Sequence, residues 1–283
     1  MKQFSVVLSF SLISILGFPQ WKWQNPSPAG NPLYAVFFTD PAHGYAAGDA
    51  GTILKTTDRG STWTVRPGGQ DVTCFSIFFT NENTGYVAGM KRRGGSVILK
   101  TTDAGNSWNT VASDTASGLY SIYFPGSNIG YSAGLGGGML KTTDGGDTWT
   151  HQNIAPHANI MSLYFTDDNT GYAAGYDDID FTGILLKTIN GGVNWDTLLY
   201  FPNFTSLTSV VFTDANTGYA VTATTGISSP EPSVKILKTE NGGSTWSELS
   251  GGATLSSCLH TVFFPDDSTG YAGGDPGLLM KTT

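Results

Sequence analysis

The sequence predicts an all-β protein, a β-propeller of six visible four-stranded blades, and three observations point to it. One phrase recurs six times along the chain, glycine is abundant throughout, and the same turn chemistry separates short apolar runs in every copy. Gly-Tyr pairs at 44–45, 85–86, 130–131, 171–172, 218–219 and 270–271 mark the copies, with spacings of 41, 45, 41, 47 and 52 residues. A unit of that length holds four short strands and cannot bury both of its faces alone, so it has to stack on its neighbours. A parallel β-helix would repeat at a shorter period, and a sandwich would not repeat itself. The expected layout is one domain over residues 21–283, with blades starting near 33, 74, 119, 160, 207 and 259.

Within each copy the elements follow from local chemistry. The first strand is an apolar run ending in Phe: LYAVFF, CFSIFF, LYSIYF, IMSLYF, LTSVVF and LHTVFF. Both alternating faces are apolar, so this strand is expected to be covered on both sides. TDPAHG, TNENTG, TDDNTG, TDANTG and PDDSTG then supply Asp or Asn and a Gly, which is turn chemistry. YAAG and its variants make the second strand, whose small side chains let adjacent sheets approach closely. TILKTT and its variants make the third, and the stretch from each Trp makes the fourth.

Composition agrees and removes some functions. With 37 glycines and 13% charged residues, the chain suits short strands and tight turns better than helical bundles or disorder. A net charge of -8 argues against nucleic acid or an anionic membrane as partner. Six of the ten lysines (55, 100, 141, 187, 238, 281) sit at one repeated position, which leaves few for a basic patch. Residues 1–20 read as an export signal: Lys2 is a short positive start, residues 4–16 are apolar or Ser, and 17–20 are a cleavage region. A membrane anchor needs about 20 apolar residues, more than this stretch offers. The expected location is therefore secreted, periplasmic or cell-surface.

The most specific signal lies between the third and fourth strands: TTDRGSTW, TTDAGNSW, TTDGGDTW, TINGGVNW and TENGGSTW. Asp58, Asp103 and Asp144, with Asn190 and Asn241 in their place later, can accept backbone N–H groups within the turn. The following Gly takes a left-handed conformation, and Trp63, Trp108, Trp149, Trp195 and Trp246 pin the turn with a buried ring. These turns are similar to the Asp-box, the bacterial neuraminidase repeat. Together with GYAAG and TILKTT, repeated over essentially the whole chain after residue 20, they make the sequence resemble the photosystem II assembly and stability factor family of exported proteins. That resemblance implies a propeller whose Asp-boxes are structural and lie on the rim away from the ligand face. It also implies a protein partner, which photosynthetic members bind through an Arg-rich patch. The present chain has only Arg59, Arg66, Arg92 and Arg93, one of them inside an Asp-box.

Sialidases share the Asp-box but need three arginines from different blades, a Tyr–Glu pair and an acid/base Asp. Every Arg here falls within the first two copies, so sialidase activity is not expected. A two-propeller glycoside hydrolase would need a second propeller, which these residues do not hold. The expected function is a non-enzymatic, monomeric binding or scaffolding module that engages a protein or glycan and uses no cofactor. The alternative is a glycoside hydrolase-like enzyme with a diverged carboxylate site near Asp177, Asp178 and Asp180.

Candidate ligand residues come from two places. One is a register at the start of strand one, four residues before the closing Phe: Tyr34, Phe75, Tyr120, Met161, Thr208 and His260. Aromatic rings there suit a sugar or an extended peptide, or else they plug the channel. The other is the loops between strands two and three, which carry Lys91, Arg92 and Arg93 in one copy and Tyr176 with the acidic run 177–183 in another. Asp178 and Asp180 are candidate Ca²⁺ ligands, but the twelfth position, where such a loop needs a bidentate Glu, holds Ile189. No metal is otherwise expected, because His43, His151 and His157 lack ligand spacing. Cys74 and Cys258 open strands in non-adjacent copies and are expected to be free.

Finally, WKWQNPSP near the N-terminus matches WTHQNIAP after the third Asp-box, with Trp, Gln, Asn and Pro at identical spacing. The sixth copy stops after its third strand. The expectation is closure of the ring by the N-terminal strand, or seven blades if the chain is truncated.

Overall fold

The computed structural model describes residues 30–282 apart from 70, 115–117, 203–204, 225–233, 250–257 and 276. The export segment and the N-terminal strand expected to close the ring lie outside the described residues. The described chain is a six-bladed β-propeller of antiparallel meanders. The first sheet holds Leu33–Phe38, Gly44–Gly48, Thr52–Thr56 and Thr64–Pro67, and the second Val72–Phe79, Gly85–Lys91, Ser96–Thr101 and Asn109–Ser113. The third holds Leu119–Tyr123, Gly130–Gly134, Gly138–Thr142 and Thr150–Asn153. Ala158–Phe165, Gly171–Asp177, Gly183–Thr188 and Asp196–Phe201 form the fourth, and Thr205–Phe212, Gly218–Thr224, Ile236–Thr239 and Ser247–Leu249 the fifth. Among the described residues the sixth has three strands, Leu259–Phe263, Gly270–Gly274 and Leu278–Thr282. Strand one starts within two residues of every expected blade start.

The core is a series of layers, one between each pair of consecutive sheets. Tyr45, Ala47 and Ile53 of the first sheet pack on Cys74, Ile77 and Phe79 of the second, and the pattern repeats through Val221, Leu259 and Val262 between the fifth and sixth. Gly44 shows why the Gly-Tyr pair is needed, since a Cβ there would sit 2.5 Å from the Phe38 ring. Cys74 is a free, buried thiol whose pKa burial pushes up to about 12, and Cys258 is likewise unbridged.

One expectation fails in the two end sheets. Strand one of the first sheet is not covered on both sides: Val36 is 64% exposed, whereas its counterparts Ile77, Ile122, Leu163, Val210 and Val262 are at most 8% exposed. The sixth sheet shows the reverse face bare, with Phe263 at 60% and Leu279 at 54%. Each interior sheet is covered by the one before it and the one after it. On the Val36 face the two inner strands are nevertheless buried, with Ala46 at 6% and Leu54 at 2% exposed, so the exposure falls on strand one.

Candidate functional site

Strand one of every sheet breaks register at the same point. The ladder skips a residue between Leu33 and Ala35, Cys74 and Ser76, Leu119 and Ser121, Ile160 and Ser162, Leu207 and Ser209, and Leu259 and Thr261. The skipped residues are Tyr34, Phe75, Tyr120, Met161, Thr208 and His260. A bulge leaves its extra residue unpaired and re-aims the side chain, which explains why this register tolerates such variety. The residue after the bulge is a Ser in sheets two to five, and its hydroxyl accepts a backbone N–H from the next sheet: Ser76 from Ile122 at 3.2 Å, Ser121 from Leu163 at 3.0 Å, Ser162 from Val210 at 3.2 Å and Ser209 from Val262 at 3.3 Å. The bulged residue and its anchor are therefore set side by side.

The aromatic members of this register touch across sheets. The Tyr34 and Phe75 ring centroids are 5.4 Å apart, and Phe75 and Tyr120 meet edge-on at 4.9 Å. The Tyr120 phenol pKa is raised by burial and then by Tyr176, which itself stacks on Phe181 at 6.4 Å. An aromatic arc thus runs over the first three sheets. In the first and sixth sheets the bulged residue meets the Asp that follows strand two. The Tyr34 hydroxyl donates to Asp49 at 3.3 Å, while Thr73 donates to the other oxygen of Asp49 at 2.8 Å. His260 Nε2 lies 2.8 Å from Asp275 Oδ2. These two aspartates were not singled out in the sequence, although GDAG and GDPG share a position.

The remaining candidates stand apart from the arc. Lys91 donates to the Ser113 hydroxyl, and with Arg93 it lines a cleft of about 280 Å³ against Gly68, Gly69 and Asp71. In the acidic loop, Asp177 accepts the Ile179 N–H and Asp180 the Thr182 N–H, both at 2.9 Å. The Thr182 hydroxyl and N–H hold the Asp180 carboxyl below its ordinary value, which suits a turn brace and not a general acid. Asp178 lies 3.8 Å from His157. Among the described residues, no three His, Cys, Asp or Glu side chains gather closely enough to hold a metal ion.

The Asp-boxes lie at the opposite end of the sheets. The Asp103 carboxylate accepts the Thr101 hydroxyl at 2.8 Å, the Ser107 N–H at 2.9 Å and the Ser107 hydroxyl at 2.6 Å. Asp58 and Asp144 repeat this arrangement, and the bonds hold Asp58 and Asp103 down at about 2 and Asp144 lower still. Asn190 and Asn241 accept the equivalent N–H groups at 3.0 and 2.8 Å. Each Trp then meets the closing Phe of its own sheet edge-on, as Trp149 does Phe124 at 5.9 Å. The repeated Tyr and Lys of one sheet reach the box of the next. Tyr131 Oη and Lys141 Nζ both donate to the Gly191 carbonyl, at 2.9 and 2.6 Å, and Tyr172 and Lys187 do the same to Gly242. That is the role of the repeated lysines in the first four sheets, whereas Lys238 donates to Glu240 of its own turn at 2.7 Å.

The family profile of the photosynthesis system II assembly factor YCF48 matches residues 18–116 and 106–204. No curated protein sequence matches the chain. Among solved structures, YCF48 bound to D1 peptide aligns with a TM-score of 0.52 at 18% identity, over 90% of this chain and 94% of that one. YCF48 from Cyanidioschyzon merolae aligns at 0.53 and 17%, over 91% and 97%. The GH74 enzyme of Niastella koreensis aligns at 0.67 and 17%, over 88% of this chain but 44% of that one. At these identities the structural likenesses speak for the fold alone.

Proposed function

Because this chain belongs to the family of the photosynthesis system II assembly factor YCF48, we propose that it is a non-enzymatic scaffold that grips an extended segment of a partner protein on its loop face. The observation that carries this reading is the aromatic arc of Tyr34, Phe75 and Tyr120, presented by bulges, with serine anchors beside Phe75 and Tyr120. Bulged side chains are not needed to hold the ladder together, so they are free to meet a ligand. Flat rings at about 5 Å spacing give an extended chain successive apolar seats at low entropic cost. The solved relative carrying a D1 peptide supports a peptide over a glycan as ligand. The Arg-rich patch expected of photosynthetic members has no counterpart here, and the charged group bordering the arc is Asp49. The partner segment is therefore apolar or cationic rather than acidic. The reading includes export by residues 1–20, which N-terminal sequencing of the protein recovered outside the cytoplasm would check.

The test is a parallel array of extended peptides and oligosaccharides probed with the intact chain and with Phe75→Ala. Peptides should be retained, and retention should fall at least about tenfold in the variant. Retention of oligosaccharides alone, or turnover of a glycoside substrate that Asp178→Ala abolishes, would overturn the proposal.

A further inference from the structure

One position of the repeat carries charge in the two end sheets alone. It follows the residue that pairs just before each bulge, and in chain order it holds Asp49, Met90, Leu135, Tyr176, Ala223 and Asp275. Four uncharged residues serve there, so the fold itself does not call for a carboxylate. The turn Asp49–Gly51 shows this directly. Leu135–Gly137 of the third sheet takes the same shape, with Gly136 at φ 68° and Gly137 at 75° where Ala50 has 53° and Gly51 has 64°. The Leu135 N–H donates to the Gly118 carbonyl at 3.0 Å, as the Asp49 N–H does to that of Pro32 at 2.9 Å. Leucine builds this turn as well as aspartate does.

The two aspartates differ in what faces them. Asp275 meets the His260 imidazole at 2.8 Å. Among the described residues, the Asp49 carboxylate meets only neutral donors, the Tyr34 hydroxyl at 3.3 Å and the Thr73 hydroxyl at 2.8 Å, and no Lys, Arg or His stands within ion-pair distance of it. A carboxylate offers about four acceptor sites, so two hydroxyls leave others open. Burial and then the charge of Asp49 push the Tyr34 phenol pKa up, in keeping with a carboxylate that no cation neutralises. Asp49 is half-buried and Tyr34 is 50% exposed. An uncompensated carboxylate beside an open ring recognises a cationic side chain, because the charge accepts its N–H groups while the ring face attracts it.

Resting on the peptide-binding reading above, we propose that Asp49 is the specificity-determining residue of the arc and seats an Arg or Lys side chain of the bound segment against Tyr34. Arg suits the seat better, because its plane can lie on the ring while its fork reaches the carboxylate. Tyr34 is the first ring of the arc, with Phe75 and then Tyr120 beyond it. The basic residue therefore stands at one end of an apolar series, whose members occupy alternate positions because these share a face in an extended chain.

The test is fluorescence anisotropy of labelled peptides on the full chain. The parent peptides alternate Leu with Ser and carry Arg at the N-terminal or the C-terminal end; their companions replace the Arg with Lys, citrulline or norleucine. In one orientation Arg should bind at least about tenfold tighter than citrulline or norleucine, with Lys sharing part of the gain, and the gain should shrink as salt is raised. Asp49→Asn should remove the gain while citrulline and norleucine peptides bind as before. Asp49→Leu, which copies the third sheet's residue, should do the same, and Asp275→Asn should not. Equal binding of Arg and citrulline peptides in both orientations, or a gain that survives both Asp49 variants, would overturn this inference and leave the scaffold reading standing. Absence of binding by every peptide would overturn both.

Discussion

At the scale of single residues, the Asp-box aspartates couple the fold to pH. Their folded pKa values lie below the ordinary carboxylate value, near 2 for Asp58 and Asp103. A depressed carboxylate contributes its full stabilisation above the unfolded value and loses it as pH falls through the folded one. Tm should therefore decline between about pH 5 and pH 2, which a melting series would show. Asn190 and Asn241 hold the same turn without titrating, and Asn241 reverses one bond by donating from its amide to Thr245. The triple variant Asp58→Asn, Asp103→Asn, Asp144→Asn should thus fold and show a flatter acid limb; an unchanged limb would assign the acid sensitivity elsewhere. Glycine makes the stricter demand. Gly146 has φ 77°, and a Cβ there would meet Tyr86 at 2.5 Å, so Gly146→Ala should destabilise by about 2 kcal/mol or more in denaturant titration. The turn itself was legible in the sequence, because the bonds of the Asp carboxylate close within seven residues, whereas the approach of Tyr86 to Gly146 from the preceding sheet was not.

At the scale of elements, legibility ends where partners lie in different copies. The repeated lysine was visible as a pattern, but its acceptor is 50 residues away for Lys141 and 55 for Lys187, in the box of the following sheet. Periodicity relates a residue to its equivalents and says nothing of which neighbour it touches. The serine after each bulge was hidden in the same way, inside runs such as CFSIFF whose apolar pattern masks it. The candidate ring was found by register alone, and the reason for its freedom, the bulge, needed the ladder. Because Tyr131 and Lys141 share one acceptor, either can hold it alone. Tyr131→Phe and Lys141→Met should each cost under about 1 kcal/mol, and together clearly more than their sum. A double-mutant cycle measures this, and strict additivity would mean that the carbonyl of Gly191 does not couple them.

At the scale of the whole molecule, the two end faces set the pattern of tolerance. LYAVFF reads like its five counterparts, so the sequence showed which faces want cover but not that Val36 lacks it. Val36→Ser should leave Tm nearly unchanged, whereas Val210→Ser, at a site 3% exposed, should cost roughly 2–3 kcal/mol; equal losses would show that Val36 is covered in solution. The reach of each Tyr and Lys into the following box has one more consequence. The Tyr131 bond spans 60 residues, longer than one repeat, so neighbouring units overlap like roof tiles. A gene duplication that copied a single sheet would sever that overlap unless the new copy brought both its own box and its own Tyr–Lys pair. The heritable module of such a protein is therefore the join between two sheets, and lineages that gain or lose blades should do so with the repeated Tyr, Lys and box transmitted as one block.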